Sequence, residues 1–151
     1  MKSRYLLPLM ISFTVFALDQ LTKLLILRTL HFLDVVTVLP VFNIVYYRNI
    51  GSAFGMFREL GNLFFITVSS VAIICILILI YKDRENSYGL ALILGGAAGN
   101  LLDRLLHGYV IDFLEFHAGR HYWPAFNIAD SALSLGILLL LLNSFPRGSS
   151  T

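Results

Sequence analysis

Four stretches of this chain, roughly 5–22, 61–81, 88–106 and 128–145, are apolar over about the ~20 residues needed to cross a ~30 Å hydrocarbon core. No other feature restricts the fold so strongly. Lipid offers no water to backbone N–H and C=O groups, so apolar stretches of this length become helices that satisfy them internally. Composition agrees. Of 151 residues, 58% are hydrophobic and 13% charged, with a mean hydropathy of +0.80. Soluble domains are nearer half apolar and a quarter charged. The expected fold is an all-α membrane protein, a single domain over 1–151 with four transmembrane helices.

The first stretch follows Lys2 and Arg4, as in a secretory signal peptide, but "FALDQLTK" carries no small-x-small cleavage signal. A retained helix is expected. Four spans put both termini on one side. The short segments there hold Lys2, Arg4, Lys82, Arg84 and Arg147, a denser basic content than the long 23–60 and 107–127 segments opposite. By the positive-inside rule both termini are expected in the cytoplasm. A formal charge of +2 without a basic run points away from nucleic acid. Cys75 is the only cysteine and lies mid-span in "AIICILIL", so it forms no intrachain disulfide and reads as a packing residue.

Segment 33–58, "LDVVTVLPVFNIVYYRNIGSAFGMF", breaks the helical pattern. It is rich in Val, Tyr and Phe, is interrupted by Pro40, and has an Asn-x-Gly turn signal at Asn49–Gly51. These features predict short strands in a small extramembrane sheet, a cradle on the outer face. Open strand edges cannot face lipid, so the sheet must lie at or above the interface. The 109–117 stretch, "YVIDFLEFH", is also expected to be extended, after Gly108 caps the third helix.

The polar residues of the spans are placed unevenly. Span one has Asp19 and, four residues on, Lys23. In span three Gly96, Asn100, Asp103 and His107 trace one helical face, with Arg104 beside it. Span four opens with Asn127, Asp130, Ser131 and Ser134 on one face. Spans one and three run outward and span four runs inward, so all three clusters meet the same, outer, membrane boundary. Simpler readings exist for each residue. Helix ends meet water, Asp103 and Arg104 can pair locally, Asn127 suits an N-cap, and an acid at Asp130 complements a helix dipole. Their joint occurrence favours a site, because intramembrane charge costs about 2.5–3.5 kcal/mol or more per residue. The small residues of "ILGGAAGN" give a GxxxG spacing that lets a neighbouring helix approach and position Asn100 and Asp103.

Asp112 lies just after span three in an apolar setting, and a connection of 18 residues can return the chain to it from Asp130. Two carboxylates in one low-dielectric site do not both ionise readily. One then takes a proton from water while the other, still protonated, polarises a carbonyl, which is aspartic-peptidase chemistry. A Cys/His nucleophile is excluded by the position of Cys75, and neither GxSxG nor HExxH occurs. Two other classes stand beside this reading. One is a transporter or ion-binding subunit using Asp19, Asp103 and Arg104. The other is a metal-dependent hydrolase using Asp112 with His107, His117 and His121, although their spacing matches no zinc pattern.

Four blocks in order carry a resemblance that covers nearly the whole chain: "DQLTK" (19–23), "NIGSAFG" (49–55), "GGAAGNLLDRLLHGYVIDF" (95–113) and "FNIADS" (126–131). Together they resemble the lipoprotein signal peptidases (signal peptidase II), with Ser52 where that family commonly has Ala. The resemblance implies that Asp112 and Asp130 are the catalytic pair, with Asp19, Asn49, Asn100, Arg104 and Asn127 in support. Lys23, Gly51, Phe54 and Asp103 stand in the same blocks and complete the expected supporting and substrate-binding set. It also implies a substrate, a prolipoprotein whose lipobox cysteine carries diacylglycerol and which is cut just before that cysteine. No cofactor or metal is implied. The setting would be the bacterial cytoplasmic (inner) membrane, with membrane lipid around a monomer and the active site at the outer face. The strands of 33–58 are expected to clamp the peptide by strand addition.

Overall fold

A computed structural model describes residues 3–51, 61–82 and 86–144. The first helix, α1, runs over Ser3–Thr29, seven residues beyond the expected end at 22. Lys23 does not stop it, because the ammonium is buried against acids of α1 and the third helix instead of meeting lipid. The hydroxyls of Thr22 and Thr29 also bond back to the carbonyls of Leu18 and Leu25, which hides them from the bilayer. Twenty-seven helical residues span roughly 40 Å at 1.5 Å each. That exceeds the ~30 Å hydrocarbon thickness, so α1 projects past the boundary or tilts strongly.

Beyond α1 the chain forms a hairpin, β1 Val35–Leu39 and β2 Phe42–Asn49, around the expected break at Pro40. Two helices follow, α2 Gly61–Lys82 and α3 Ser87–His107, within one residue of the expected spans. Gly108 then ends α3 in the left-handed conformation (φ 80°), its N–H bonded to the Arg104 carbonyl, the cap read from the sequence. β3 Val110–Ala118, β4 His121–Tyr122 and α4 Ile128–Ser144 complete the described chain. Helices α1, α2 and α3 are long and apolar enough to cross a membrane, and α4 is a shorter apolar helix of 17 described residues.

The strands form one antiparallel sheet in the order β1-β2-β3-β4. Strand β3 was expected only to be extended. In the structure it pairs with β2, which joins segments separated by two helices, with Asn49 opposite Val110 and Tyr47 opposite Asp112. A register shift between Ile44 and Tyr47 marks a bulge in β2, a common device beside functional sites. The sheet is fixed to the overshooting end of α1 by a cluster of Ile26, Tyr46, Ile111 and Phe113. The part of the expected 33–58 strand segment from 52 onward lies outside the described residues.

Helix α3 is central and packs against α1, α2 and α4. Its consecutive glycines explain how. A Cβ on Gly95 would lie 2.5 Å from the Ser12 carbonyl of α1, and one on Gly96 would lie 2.5 Å from the Ala129 carbonyl of α4. Backbone meets backbone on both sides, the close approach that small residues permit in membranes. Gly96→Ala is expected to push α4 outward and to cost about 1–3 kcal/mol, the usual range for overpacking. A lower melting midpoint of the variant in detergent would show it.

Candidate active site

The site is built from a buried cation outward. Lys23 is 1% exposed, a position that an ammonium tolerates only with full pairing. Its Nζ lies 2.8 Å from Asp19 Oδ2, 2.9 Å from Asp103 Oδ2 and 2.9 Å from Asn100 Oδ1. Three acceptors match its three protons. Two acids face one cation, and backbone donors stabilise the excess negative charge. Asp19 Oδ1 accepts the Ala129 N–H at 2.9 Å, in the first turn of α4, and Asp103 Oδ2 accepts the Ile111 N–H at 3.0 Å, at the start of β3. This one cluster therefore locates the starts of two elements, α4 and β3.

The asparagines pass that order on to the remaining acids. Lys23 holds the Asn100 oxygen, which turns the amide nitrogen toward Asp130 Oδ1 at 2.8 Å. Asn127 caps α4, its Oδ1 accepting the Asp130 N–H at 2.9 Å, while Asp130 Oδ2 accepts the Asn127 N–H at 3.3 Å. This reciprocal pair is a capping box. The capping roles open to Asn127 and Asp130 in the sequence are thus real, and they do not exhaust what these residues do. The Asn127 amide nitrogen also donates to Asp112 Oδ1 at 2.8 Å, so one residue touches both acids. Asn49, at the end of β2, donates to Asp112 Oδ2 at 3.0 Å, and its own oxygen accepts the Gly51 N–H at 3.0 Å in the turn read from the Asn-x-Gly signal.

Burial pushes the Asp112 carboxyl up, and the nearby charge of Asp130 pushes it further. The Asn49 and Asn127 amides and the Lys23 charge pull it down, and the balance leaves it at about 7 instead of 3.8. Asp112 is 3% exposed, so desolvation leads.

Of the expected residues, Asp19, Lys23, Asn49, Asn100, Asp103, Asp112, Asn127 and Asp130 form one hydrogen-bonded network. Arg104 stands at its edge. Its guanidinium donates to the Asn100 carbonyl at 3.3 Å and lies 5.3 Å from the Phe65 ring centroid. Phe54 lies outside the described residues. Gln20 was missed. Its Nε2 is 3.1 Å from Asp19, 3.2 Å from Asp103 and 3.2 Å from the Gly99 carbonyl, bracing the two acids together. A polar residue beside Asp19 within an apolar span was the available signal. Of the histidines weighed as metal ligands, His107 stacks on Tyr109 and His117 on Tyr122. Among the described residues no three of His, Cys, Asp and Glu are placed to hold a metal.

Comparison with known proteins agrees with this architecture. The family profile described as signal peptidase (SPase) II matches residues 11–146. A lipoprotein signal peptidase of Thermodesulfovibrio yellowstonii is 43% identical over 135 residues, covering 89% of this chain and 92% of its own. One from Azoarcus sp. (strain BH72) is 45% identical over 146 residues, covering 93% and 83%. Two solved structures, each described as a bacterial membrane enzyme obtained by the in meso method, superpose closely. One has a TM-score of 0.84 at 31% identity, covering 95% of this chain and 92% of that one. The other has a TM-score of 0.83 at 32% identity, covering 93% of each.

Two outcomes follow from the network. Lys23→Met leaves Asp19 and Asp103 buried without their cation and should cost about 3–5 kcal/mol, read as a lower melting midpoint. The second concerns pH. The raised Asp112 carboxyl binds its proton more tightly in the folded chain than in the unfolded one. Its contribution to stability is therefore full below 3.8 and lost as pH rises through about 7. Melting midpoints taken across that window should fall less steeply for Asp112→Asn than for the parent. Equal slopes would show that Asp112 does not titrate there.

Proposed function

The chain belongs to the signal peptidase II family, whose members are bacterial membrane peptidases, and on that premise we propose that Asp112 and Asp130 act as an aspartic pair. The bond they cut joins the signal peptide of a prolipoprotein to its diacylglyceryl-modified cysteine. The observation that carries this reading is the shared asparagine. Asn127 donates to Asp112 and caps the turn that holds Asp130, so the two carboxyls are fixed relative to each other.

Such a pair holds one proton between its members at neutral pH. The ionised carboxyl takes a proton from water as the water oxygen attacks the scissile carbonyl carbon. The protonated carboxyl donates to the carbonyl oxygen as charge develops there, and a proton then passes to the leaving amine. The pair titrates as a unit, so its two steps belong to both residues. Asn49, Asn100 and Asn127 keep the carboxylates oriented without adding charge. The substrate arrives from within the bilayer with its scissile bond near the interface, where the polar ends of α1, α3 and α4 meet it. In this reading the boundary is the outer one, both termini are cytoplasmic, and one chain suffices. The strand segment is the platform for the peptide, held by strand addition.

The test is direct. Purified protein is incubated with a diacylglyceryl-modified prolipoprotein, beside Asp112→Asn and Asp130→Asn. Each variant should lose activity by about 10²–10⁴-fold or more while still inserting in the membrane. The parent should keep full rate in a strong chelator and lose rate as pH rises through about 7, where Asp112 gives up its proton. Parent-like turnover by either variant would sink the pair.

A further inference from the structure

Outside this network the guanidinium of Arg48 is held among aromatic rings, with no acid paired to it among the described residues. Arg48 of β2 is exposed, yet three rings enclose its guanidinium. The guanidinium carbon lies 4.6 Å from the ring centroid of Phe32, 4.9 Å from that of Tyr109 and 5.4 Å from that of Tyr46. Its Nε donates to the Tyr46 hydroxyl at 3.0 Å, and that hydroxyl lies 3.1 Å from the Tyr109 hydroxyl. His107, the last residue of α3, stacks on Tyr109 at 5.7 Å. Ion pairs among the described residues involve Lys23 and His31 only. Asp34, the acid that precedes it in the sequence, accepts from the backbone N–H of His31 at 2.7 Å.

An exposed arginine ordinarily gives up rotamer entropy on binding. The aromatic box has already fixed this one. A planar fork with uncommitted donors matches the oxygens of a phosphate, which it can take bidentately. The location names the source of that phosphate. Phe32 follows the end of α1 and Tyr109 follows the end of α3, so the box stands beyond the ends of both apolar helices, on the side of the sheet. Leu33 and Ile50 beside it are exposed and apolar. Aromatic rings gather at the headgroup level of membranes, the depth at which lipid phosphates lie.

We infer that Arg48, boxed by Phe32, Tyr46 and Tyr109, binds the phosphate of a phospholipid headgroup. This ligand is distinct from the lipid of the proposed substrate, because diacylglycerol carries no phosphate. The bound headgroup sits one residue from Asn49, whose amide meets Asp112.

Arginine-selective dicarbonyl labelling of the whole protein in maltoside detergent, mapped by mass spectrometry, tests this on the unmutated chain. Three additions are compared: phosphatidylglycerol, a glycolipid with the same acyl chains and no phosphate, and inorganic phosphate alone. Phosphatidylglycerol should slow labelling of Arg48 about tenfold once it exceeds its dissociation constant about tenfold. Arg120, in the turn between β3 and β4, should label at an unchanged rate. The glycolipid should leave Arg48 labelling fast. Equal protection by the glycolipid, no protection by phosphatidylglycerol, or equal slowing of Arg120 would overturn the inference. Protection by inorganic phosphate but not by phospholipid would assign the site to soluble phosphate and overturn it too.

Discussion

A single buried ammonium organises the candidate active site of this protein. Lys23 lies among Asp19, Asp103 and Asn100 with almost no contact with solvent, where an unpaired charge would be prohibitive. The acids it gathers do more than neutralise it. One reaches the first turn of α4 and the other the first residues of β3, through backbone N–H groups. An apolar cluster of the same volume could hold the helices together equally well. It would not fix where those two segments begin, and their first residues carry the candidate catalytic groups.

From that point order passes through amides. An asparagine side chain has a donor end and an acceptor end, and the choice between them is a real question in any site. Here Lys23 holds the oxygen of Asn100, and the Asp130 N–H holds the oxygen of Asn127. Both nitrogens are thereby turned toward carboxylates. Donation to Asp112 favours its charged form, while burial and the neighbouring acid oppose it and prevail. A carboxyl that keeps its proton to about 7 suits a peptidase working near neutral pH.

The sheet makes the second half of the site. α1 overshoots the bilayer thickness, and Ile26 near its end carries the apolar cluster on which β2 and β3 rest. Because Asn49 ends one of these strands and Asp112 lies in the other, the pairing register decides whether the amide meets the acid. The bulge in β2 sets that register. On the same strand Arg48 turns to a ring of aromatic residues, so adjacent residues face the candidate catalytic carboxylate and the aromatic box.

Much of this was already written in the sequence, wherever a local property sufficed. Hydropathy and length located α2, α3 and α4 to within a residue or so, and Gly108 marked a helix end. Helical periodicity put Asn100 and Asp103 on one face, and the order of the spans brought Asp19, Asp103 and Asp130 to one boundary. Asn127 and Asp130 announced their own cap. Tertiary structure alone decided the rest. The length of α1 depended on where Lys23 found its partners, and hydropathy saw only a lysine. The union of β2 with β3, the contact of Asn49 with Asp112 across 63 residues, and the bracing by Gln20 all depend on packing between distant segments. Periodicity reports which side of an element a residue occupies. The partner it meets there is set by neighbouring elements, which is why the acids could be named from the sequence and their hydrogen bonds could not.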